Sequence, residues 1–571
     1  MPPVLTHLLR VPAVGALGSR DAIGGCLIGV LHGLALAAMC LTEFGPFAQV
    51  VFILVWIALN GVLLTGFGRP AISAALALMF IIVIIMLSEF KISIVSMGLH
   101  FFDIWIIDPD TLAFLFATFP DLRWSVLLAA LAVSSLLVLI WRLDPFRIPR
   151  WRAATVAAAS LTGFIGLSAA VPNDPEAIWL GTNHVSTFAR SGVSATSSLL
   201  SHGWIDFDRS TPHRPLAVTE ERCTPKRKPP HVIMVLDEGS FDITAIPGVR
   251  VPAGYSSHFR SFDGKARQLF VEGIGGPTWY TEYNVLTGLS VHSYGGISYN
   301  ATQIAAGHVQ RGLPQALRRC GYKTVTLYPA YGAFLGARAF QTGTGVERFL
   351  DYGDLKQVGN EPDSFFYERA LRILAEDNKD QPLFIFVYTV VNHFPWSHRF
   401  RPDLTPDWQN LNADPEIDEY VRRQVLGAGD FASFMDRLRR DFPGEAFLVA
   451  RFGDHQPSIA KPLIDATIAT PATSSRMPPD DLRYYTTYYA LDAINFRPAE
   501  LASAMQALDA PYLPLVVLEA AGLPLDASFA EQKRILQRCG GLFYRCDAGA
   551  EARRLNRLLI DAGLIKGLTS R

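Results

Sequence analysis

His231-Val232-Ile233-Met234-Val235-Leu236-Asp237-Glu238-Gly239-Ser240 is a short apolar, β-favouring run that stops abruptly on two carboxylates. Three runs of the same kind lie further along the chain: Lys323–Tyr328 (KTVTLY), Leu383–Val390 (LFIFVYTV) and Ala446–Phe452 (AFLVARF). Helical patterns separate them. Strands alternating with helices predict an α/β domain with a mostly parallel central sheet covered by helices.

The residues just beyond each strand carry the chemistry. The first run leads to Asp237-Glu238, the second to a loop bearing Arg338, the third to Asn392-His393 and the fourth to Gly453-Asp454-His455. In open α/β sheets ligands bind beyond the carboxyl ends of the strands, so these groups are expected to converge on one edge. One charged residue after a strand is an ordinary loop residue; four out of four strands ending this way is a pattern. Glu238, Asp454 and His455 supply an oxygen and nitrogen donor set suited to a divalent cation of the zinc or manganese kind. A hydroxyl candidate lies in Glu272-Gly-Ile-Gly-Gly-Pro-Thr278-Trp-Tyr-Thr-Glu-Tyr-Asn-Val-Leu-Thr-Gly-Leu289. Its glycines let the backbone approach a ligand, and Pro277 suits the start of a helix, with Thr278 in the first turn. A hydroxyl there feels the positive helix end, which favours an alkoxide and binds phosphate. The competing reading of Thr278 is a plain N-terminal cap.

Towards the N-terminus the composition changes. Five apolar runs, near 22–42, 47–66, 70–89, 123–141 and 153–171, reach the roughly 20 residues that a bilayer core requires. None is expected to be a cleavable signal peptide. Arg10, Arg20, Arg69, Arg142, Arg147, Arg150 and Arg152 all fall on one side of a five-span arrangement, while Glu43, the loop 90–122 and the C-terminal half fall on the other. The positive-inside rule therefore puts the C-terminal half outside the cytoplasm. The aromatic stretch Phe101–Ile107 is expected either to lie in the membrane interface or to pack on neighbouring helices. The Ser-, Thr- and Pro-rich segment ending in Lys226-Arg227-Lys228-Pro229-Pro230 reads as a linker, its basic cluster a solvated hinge or a contact for lipid head groups. The expected organisation is a five-helix transmembrane domain (1–172), a linker (173–230), a catalytic domain (231–535) and a C-terminal extension (536–571). A formal net charge of -1 gives no electrostatic case for nucleic acid. Of six cysteines, Cys26 and Cys40 lie in the first apolar run, and Cys223, Cys320, Cys539 and Cys546 in the soluble half. Four there fit an oxidising compartment and allow three pairings, with Cys539–Cys546 preferred for its close spacing.

The whole resembles the lipoteichoic acid synthase and periplasmic-glucan phosphoglycerol transferase families, sulfatase-like enzymes of the alkaline phosphatase type, over nearly its full length. HVIMVLDEGS is similar to the family motif in which a strand ends in a metal-binding Glu, here Glu238. GGPTWYTEYNVLTGL matches the motif of the nucleophilic Thr, here Thr278. Asn392-His393-Phe394-Pro395-Trp396 is similar to N-H-x-P-[FW], whose His contacts phosphate, and Phe452 through Pro457 match F-G-D-H-x-P, supplying Asp454 and His455. The phosphate-binding Arg of the family looks like Arg338 in Phe334-Leu335-Gly336-Ala337-Arg338, where the Trp of the family motif is missing and one residue is inserted.

The resemblance implies a single divalent metal (Mn2+ foremost, Zn2+ or Mg2+ as alternatives) bound by Glu238, Thr278, Asp454 and His455. It also implies a covalent phospho-Thr278 intermediate, a membrane phospholipid donor such as phosphatidylglycerol, and a glycan or glycolipid acceptor. The setting it implies is the cytoplasmic (inner) membrane of a bacterium, with catalysis on the periplasmic or extracellular side. Phosphoethanolamine transferases among the relatives carry a further His downstream for a second metal; this chain has none after His455. The rivals are a phosphoethanolamine transferase or hydrolase on the same fold, and a silent membrane scaffold. A transporter is disfavoured because no span carries a mid-bilayer charge.

Overall fold

The computed structural model describes residues 19–95, 97–105, 122–171, 182–210, 216, 223, 228–376, 381–467 and 481–569. They fall into two units, Met1–Thr196 and Ser197–Arg571.

The first unit contains five helices long and apolar enough to cross a membrane: Arg20–Thr42, Pro46–Phe67, Pro70–Ser93, Arg123–Leu143 and Arg150–Ala170. Leu41, Met86, Leu128 and Trp151 expose most of their side chains, an arrangement that suits lipid and would be unfavourable in water. Asp144 Oδ2 accepts from the backbone N–H groups of Ala71 (2.7 Å) and Ile72 (3.2 Å), capping the third helix. Ile148 N donates to Gly68 O at 3.0 Å. The turns bearing Arg69, Arg147 and Arg150 therefore meet at one end of the helices. At the other end the buried Glu43 accepts from Val185 N (2.8 Å) and Ser186 N (3.3 Å), capping the helix His184–His202. Phe101–Trp105 is a short helix, with Phe102 buried and Phe101 against Phe188. Ile106 and Ile107 lie outside the described residues, as do Arg10, Lys226 and Arg227; of the stretch read as a linker, 182–210, 216, 223 and 228–230 are described. Lys228 pairs with Glu445 at 3.1 Å.

The second unit is built on an eight-stranded sheet. Its strands are β1 (His231–Asp237), β2 (Arg267–Phe270), β3 (Lys323–Leu327), β4 (Arg348–Leu350), β5 (Leu383–Tyr388), β6 (Phe447–Gly453), β7 (Thr486–Ile494) and β8 (Ala507–Asp509), in the order β4-β3-β5-β1-β6-β7-β2-β8. The four strands read from sequence form its parallel centre, β3-β5-β1-β6, and β7 runs antiparallel to both neighbours. Ile233, Val235, Ile385, Val387, Phe447 and Val449 bury one face against the helices Asp363–Glu376 and Pro415–Asp441, through Phe366, Leu371, Phe434 and Leu438. The alternate residues, Val232, Met234, Leu236, Phe384 and Phe386, are buried too. Burial on both faces is why these strands read as unbroken apolar runs. Two disulfides, Cys223–Cys320 and the expected Cys539–Cys546, lie in this unit.

Register positions the chemistry. In the parallel β1–β6 pair Asp237 stands opposite Gly453, so the next residues, Glu238 and Asp454, leave the sheet side by side. Side chains alternate along a strand, and Asp237 points the other way, with Oδ2 bonded to His258 Nε2 (2.9 Å) and Tyr488 OH (2.5 Å). That separates the two adjacent carboxylates: Asp237 is structural, and Glu238 faces the site.

Candidate active site

Glu238, Asp454 and His455 are buried, and one ligand atom from each lies within 4.8 Å of the others. His455 Nε2 is 3.3 Å from both Glu238 Oε1 and Asp454 Oδ2. Its Nδ1–H donates to Gln456 O at 3.0 Å, which turns Nε2 into the cluster. Asp454 Oδ1 accepts from Gly239 N at 2.8 Å, whereas Oδ2 is buried without a hydrogen-bond donor. Leaving a buried carboxylate oxygen unmatched is costly, and a cation between these three donors would satisfy it. The residues fit a divalent metal.

The charges are interdependent. Burial would raise the Glu238 carboxyl, but the hydrogen bond from His455 and the charges of His393 and His455 hold it below the usual carboxylate range. Burial, aided by the charge of Glu238, pushes Asp454 up to about 7. Burial alone would push His455 down; the charge of Asp454 and the hydrogen bond and charge of Glu238 push it up to about 9 instead.

Thr278 opens the helix Thr278–Thr287, and Pro277 takes the cap position without a side-chain bond. The Thr278 hydroxyl does not cap the helix. Oγ1 donates to Glu238 Oε2 at 3.1 Å and lies 3.5 Å from His455 Nε2, so the side chain is half-buried against the cluster. Two nearby hydroxyls are committed elsewhere: Thr281 Oγ1 donates to Asp454 O (2.5 Å), and Ser240 Oγ to Gln424 Oε1 (3.2 Å).

The remaining sequence candidates separate here. The exposed His393 acts on Glu238 electrostatically, and its neighbour Asn392 donates Nδ2–H to Gly239 O at 3.1 Å. Arg338 is not hydrogen-bonded to the cluster: Nη2 pairs with Asp351 (2.7 Å) and Asp354 (3.1 Å), and Nη1 donates to Phe349 O (2.9 Å).

Several contributors went unread in the sequence. Gly239 takes φ +56, and its carbonyl also accepts from Tyr420 OH at 3.0 Å. Gly453 must lack a side chain, because a Cβ there would sit 1.8 Å from Ser240 O. The glycine of Gly453-Asp454-His455 was the available signal for that close approach; for Tyr420 there was none.

Residues 254–490 match the family model described as Sulfatase. An uncharacterized protein of Haemophilus influenzae is 24% identical over 205 residues, 34% of this chain and 37% of its own length. The chain thus spans little more than a third of that relative. Similar solved structures include the phosphoglycerol transferase GacH of Streptococcus pyogenes in complex with sn-glycerol-1-phosphate (16% identity, 59% of this chain, 87% of that one, TM-score 0.46). The lipoteichoic acid synthase LtaP of Listeria monocytogenes has 16% identity over 58% of this chain and 79% of its own, with a TM-score of 0.41. The lipooligosaccharide phosphoethanolamine transferase A (EptA) of Neisseria meningitidis has 12% identity over 89% and 96%, with a TM-score of 0.45. The stretch that carries Thr278, Asp454 and His455 is thus similar to the Sulfatase family model, and five helices of membrane-spanning length precede it.

Proposed function

We propose that the protein transfers a phosphoglycerol-type head group from a membrane phospholipid to the hydroxyl of an extracytoplasmic glycan or glycolipid, through a covalent intermediate on Thr278. The observation that carries this reading is the direction of the Thr278 hydroxyl, which points at Glu238 and His455 and does not cap its helix. Glu238, Asp454 and His455 would hold the divalent cation, which supplies Lewis acidity at the hydroxyl and the phosphoryl oxygens when bound. The proposed location outside the cytoplasm is supported by the basic turns gathered at one end of the helices and by two disulfides in the second unit.

The chain's own groups divide the work. Thr278 donates its hydrogen to Glu238 Oε2, leaving the oxygen's lone pairs free for phosphorus. As the Thr278 Oγ–P bond forms, the Thr278 proton passes to Glu238 Oε2, the bond from phosphorus to the diacylglycerol oxygen breaks, and that oxygen takes a proton. His393 is the proposed donor: its Nδ1–H is held by Phe394 O at 2.7 Å, which leaves Nε2 as the nitrogen that exchanges the proton. In the second half the acceptor hydroxyl gives a proton back to Nε2 and attacks phosphorus, the Thr278 Oγ–P bond breaks, and Thr278 recovers its proton from Glu238. Arg338 takes a part only by exchanging Asp351 and Asp354 for the phosphoryl anion.

Mass spectrometry of the intact protein after incubation with phosphatidylglycerol, without acceptor, tests this. The wild type is expected to gain one phosphoglycerol on Thr278 and release diacylglycerol in a burst. Thr278→Ala should gain nothing while remaining folded, and Thr278→Ser should keep part of the activity. A phosphoethanolamine increment from phosphatidylethanolamine would reassign the donor. An active Thr278→Ala variant, or a label on Thr281 or Ser240, would sink the assignment.

A further inference from the structure

We propose that Arg423 is a positioning residue for His393, holding the loop of residues 393–398 so that the imidazole presents Nε2 to the substrate; this rests on the proton-transfer role proposed for His393. Residues 393–398 have no regular secondary structure and His393 is exposed; its ring is held by contacts inside the loop itself, Nδ1 to Phe394 O (2.7 Å) and a stack on Phe394, so its placement follows the loop backbone. The fixing comes through the backbone. Arg423, on the helix Pro415–Asp441, is 3% exposed. Its Nη1 donates to His393 O (2.7 Å), and Nη2 donates to both Pro395 O and His398 O (2.9 Å each). Its Nε donates to Glu419 Oε1 at 2.6 Å. Glu419 also accepts from Phe400 N at 2.9 Å, just past the same loop.

Three carbonyls within six residues converge on one guanidinium, whose donors are spread in a rigid plane. A lysine ammonium concentrates its donors at a point and cannot reach all three. The start of the loop is held separately: Asp363 Oδ1 accepts from Val390 N and Val391 N at 2.9 Å each, and Trp396 Nε1 donates to Asn392 O at 3.1 Å. A buried arginine, paired with Glu419 and with its other donors given to backbone carbonyls, is a costly way to stabilise a surface loop. It is an apt way to keep a proton-transferring group from wandering, because small misplacements at such a group cost rate.

The experiment is a double-variant cycle in the full chain, with phosphatidylglycerol in mixed micelles as donor. It compares wild type, His393→Ala, Arg423→Lys and the combination, with melting midpoint and bound metal as folding controls. His393→Ala should lower kcat about 10²-fold or more, the usual loss when a proton-transferring group is removed. Arg423→Lys should lower kcat by about tenfold with KM nearly unchanged, yet cost less than about twofold further in the His393→Ala background. Wild-type kcat in Arg423→Lys, or losses that multiply in the combined variant, would overturn the positioning role and leave His393 standing. Wild-type kcat in His393→Ala would remove the role of His393 and the inference together. If Arg423→Lys does not fold, Trp396→Phe takes its place. It deletes one N–H bond to the loop and keeps an aromatic ring, and its loss of kcat should likewise vanish in the His393→Ala background; a multiplying loss there overturns the inference.

Discussion

If Glu238, Asp454 and His455 hold a cation, binding it must expel protons, and the structure gives the number. In the metal-free protein His455 is pushed up to about 9 and Asp454 up to about 7, while Glu238 stays ionised. A cation binds neutral imidazole and charged carboxylate, so it displaces whatever protons these groups carry. At pH 8 that is about 0.9 of a proton from His455 and about 0.1 from Asp454, a release near 1. At pH 6 both groups are almost fully protonated, and the release approaches about 2. The dissociation constant should therefore fall about tenfold per pH unit between pH 7 and 9, and about fiftyfold between pH 6 and 7. Calorimetric titration of Mn2+ into metal-free protein, in two buffers of different ionisation enthalpy, measures the release directly. Stability of the metal-free protein depends on the same protons. Both folded-state values lie above the ordinary 6.5 and 3.8, so their contribution is full at low pH, and it is lost as pH rises through about 7 for Asp454 and about 9 for His455. The metal-free protein should lose melting temperature across that window, and the loaded protein should not. A proton release near zero at pH 8 would refute the reasoning, because the cation would then be displacing nothing from His455.

The fold itself makes two further outcomes testable. Gly453→Ala should cost at least about 1–3 kcal/mol, measured by thermal or denaturant melts, and weaken metal binding, because the new Cβ would lie 1.8 Å from Ser240 O, two residues beyond Glu238. Reporter fusions after Arg69 and after Arg150 should read cytoplasmic and fusions after Pro172 extracytoplasmic; a cytoplasmic reading after Pro172 would reverse the arrangement drawn from the basic turns.

How much of this was legible depended on how far each feature depends on tertiary structure. β1, β5 and β6 were readable because both of their faces are buried, so HVIMVL after its His231, LFIFVY throughout and FLVARF apart from the buried Arg451 are apolar. β2, β4 and β8 escaped because three or four residues such as RQLF, RFL and ALD hold too little pattern. β7 was missed because its Thr-Thr-Tyr-Tyr opening is no simple apolar run. The convergence of Glu238 and Asp454 could be read from strand ends, since a parallel pair in register carries consecutive residues to the same edge. Arg338 marks where that logic stops. A position after a strand says nothing of which carboxylate will claim the guanidinium, and Asp351 and Asp354 arrive only with the turn beyond β4. Arg423 shows the converse. Arg422-Arg423, set among acidic residues of a long amphipathic helix, has the pattern of a solvated face, yet Arg423 is buried against carbonyls some 25 to 30 residues away in sequence. Backbone acceptors are common to every residue type, so no pattern of side chains could have announced that bond; only the folded loop makes the helix position a functional one.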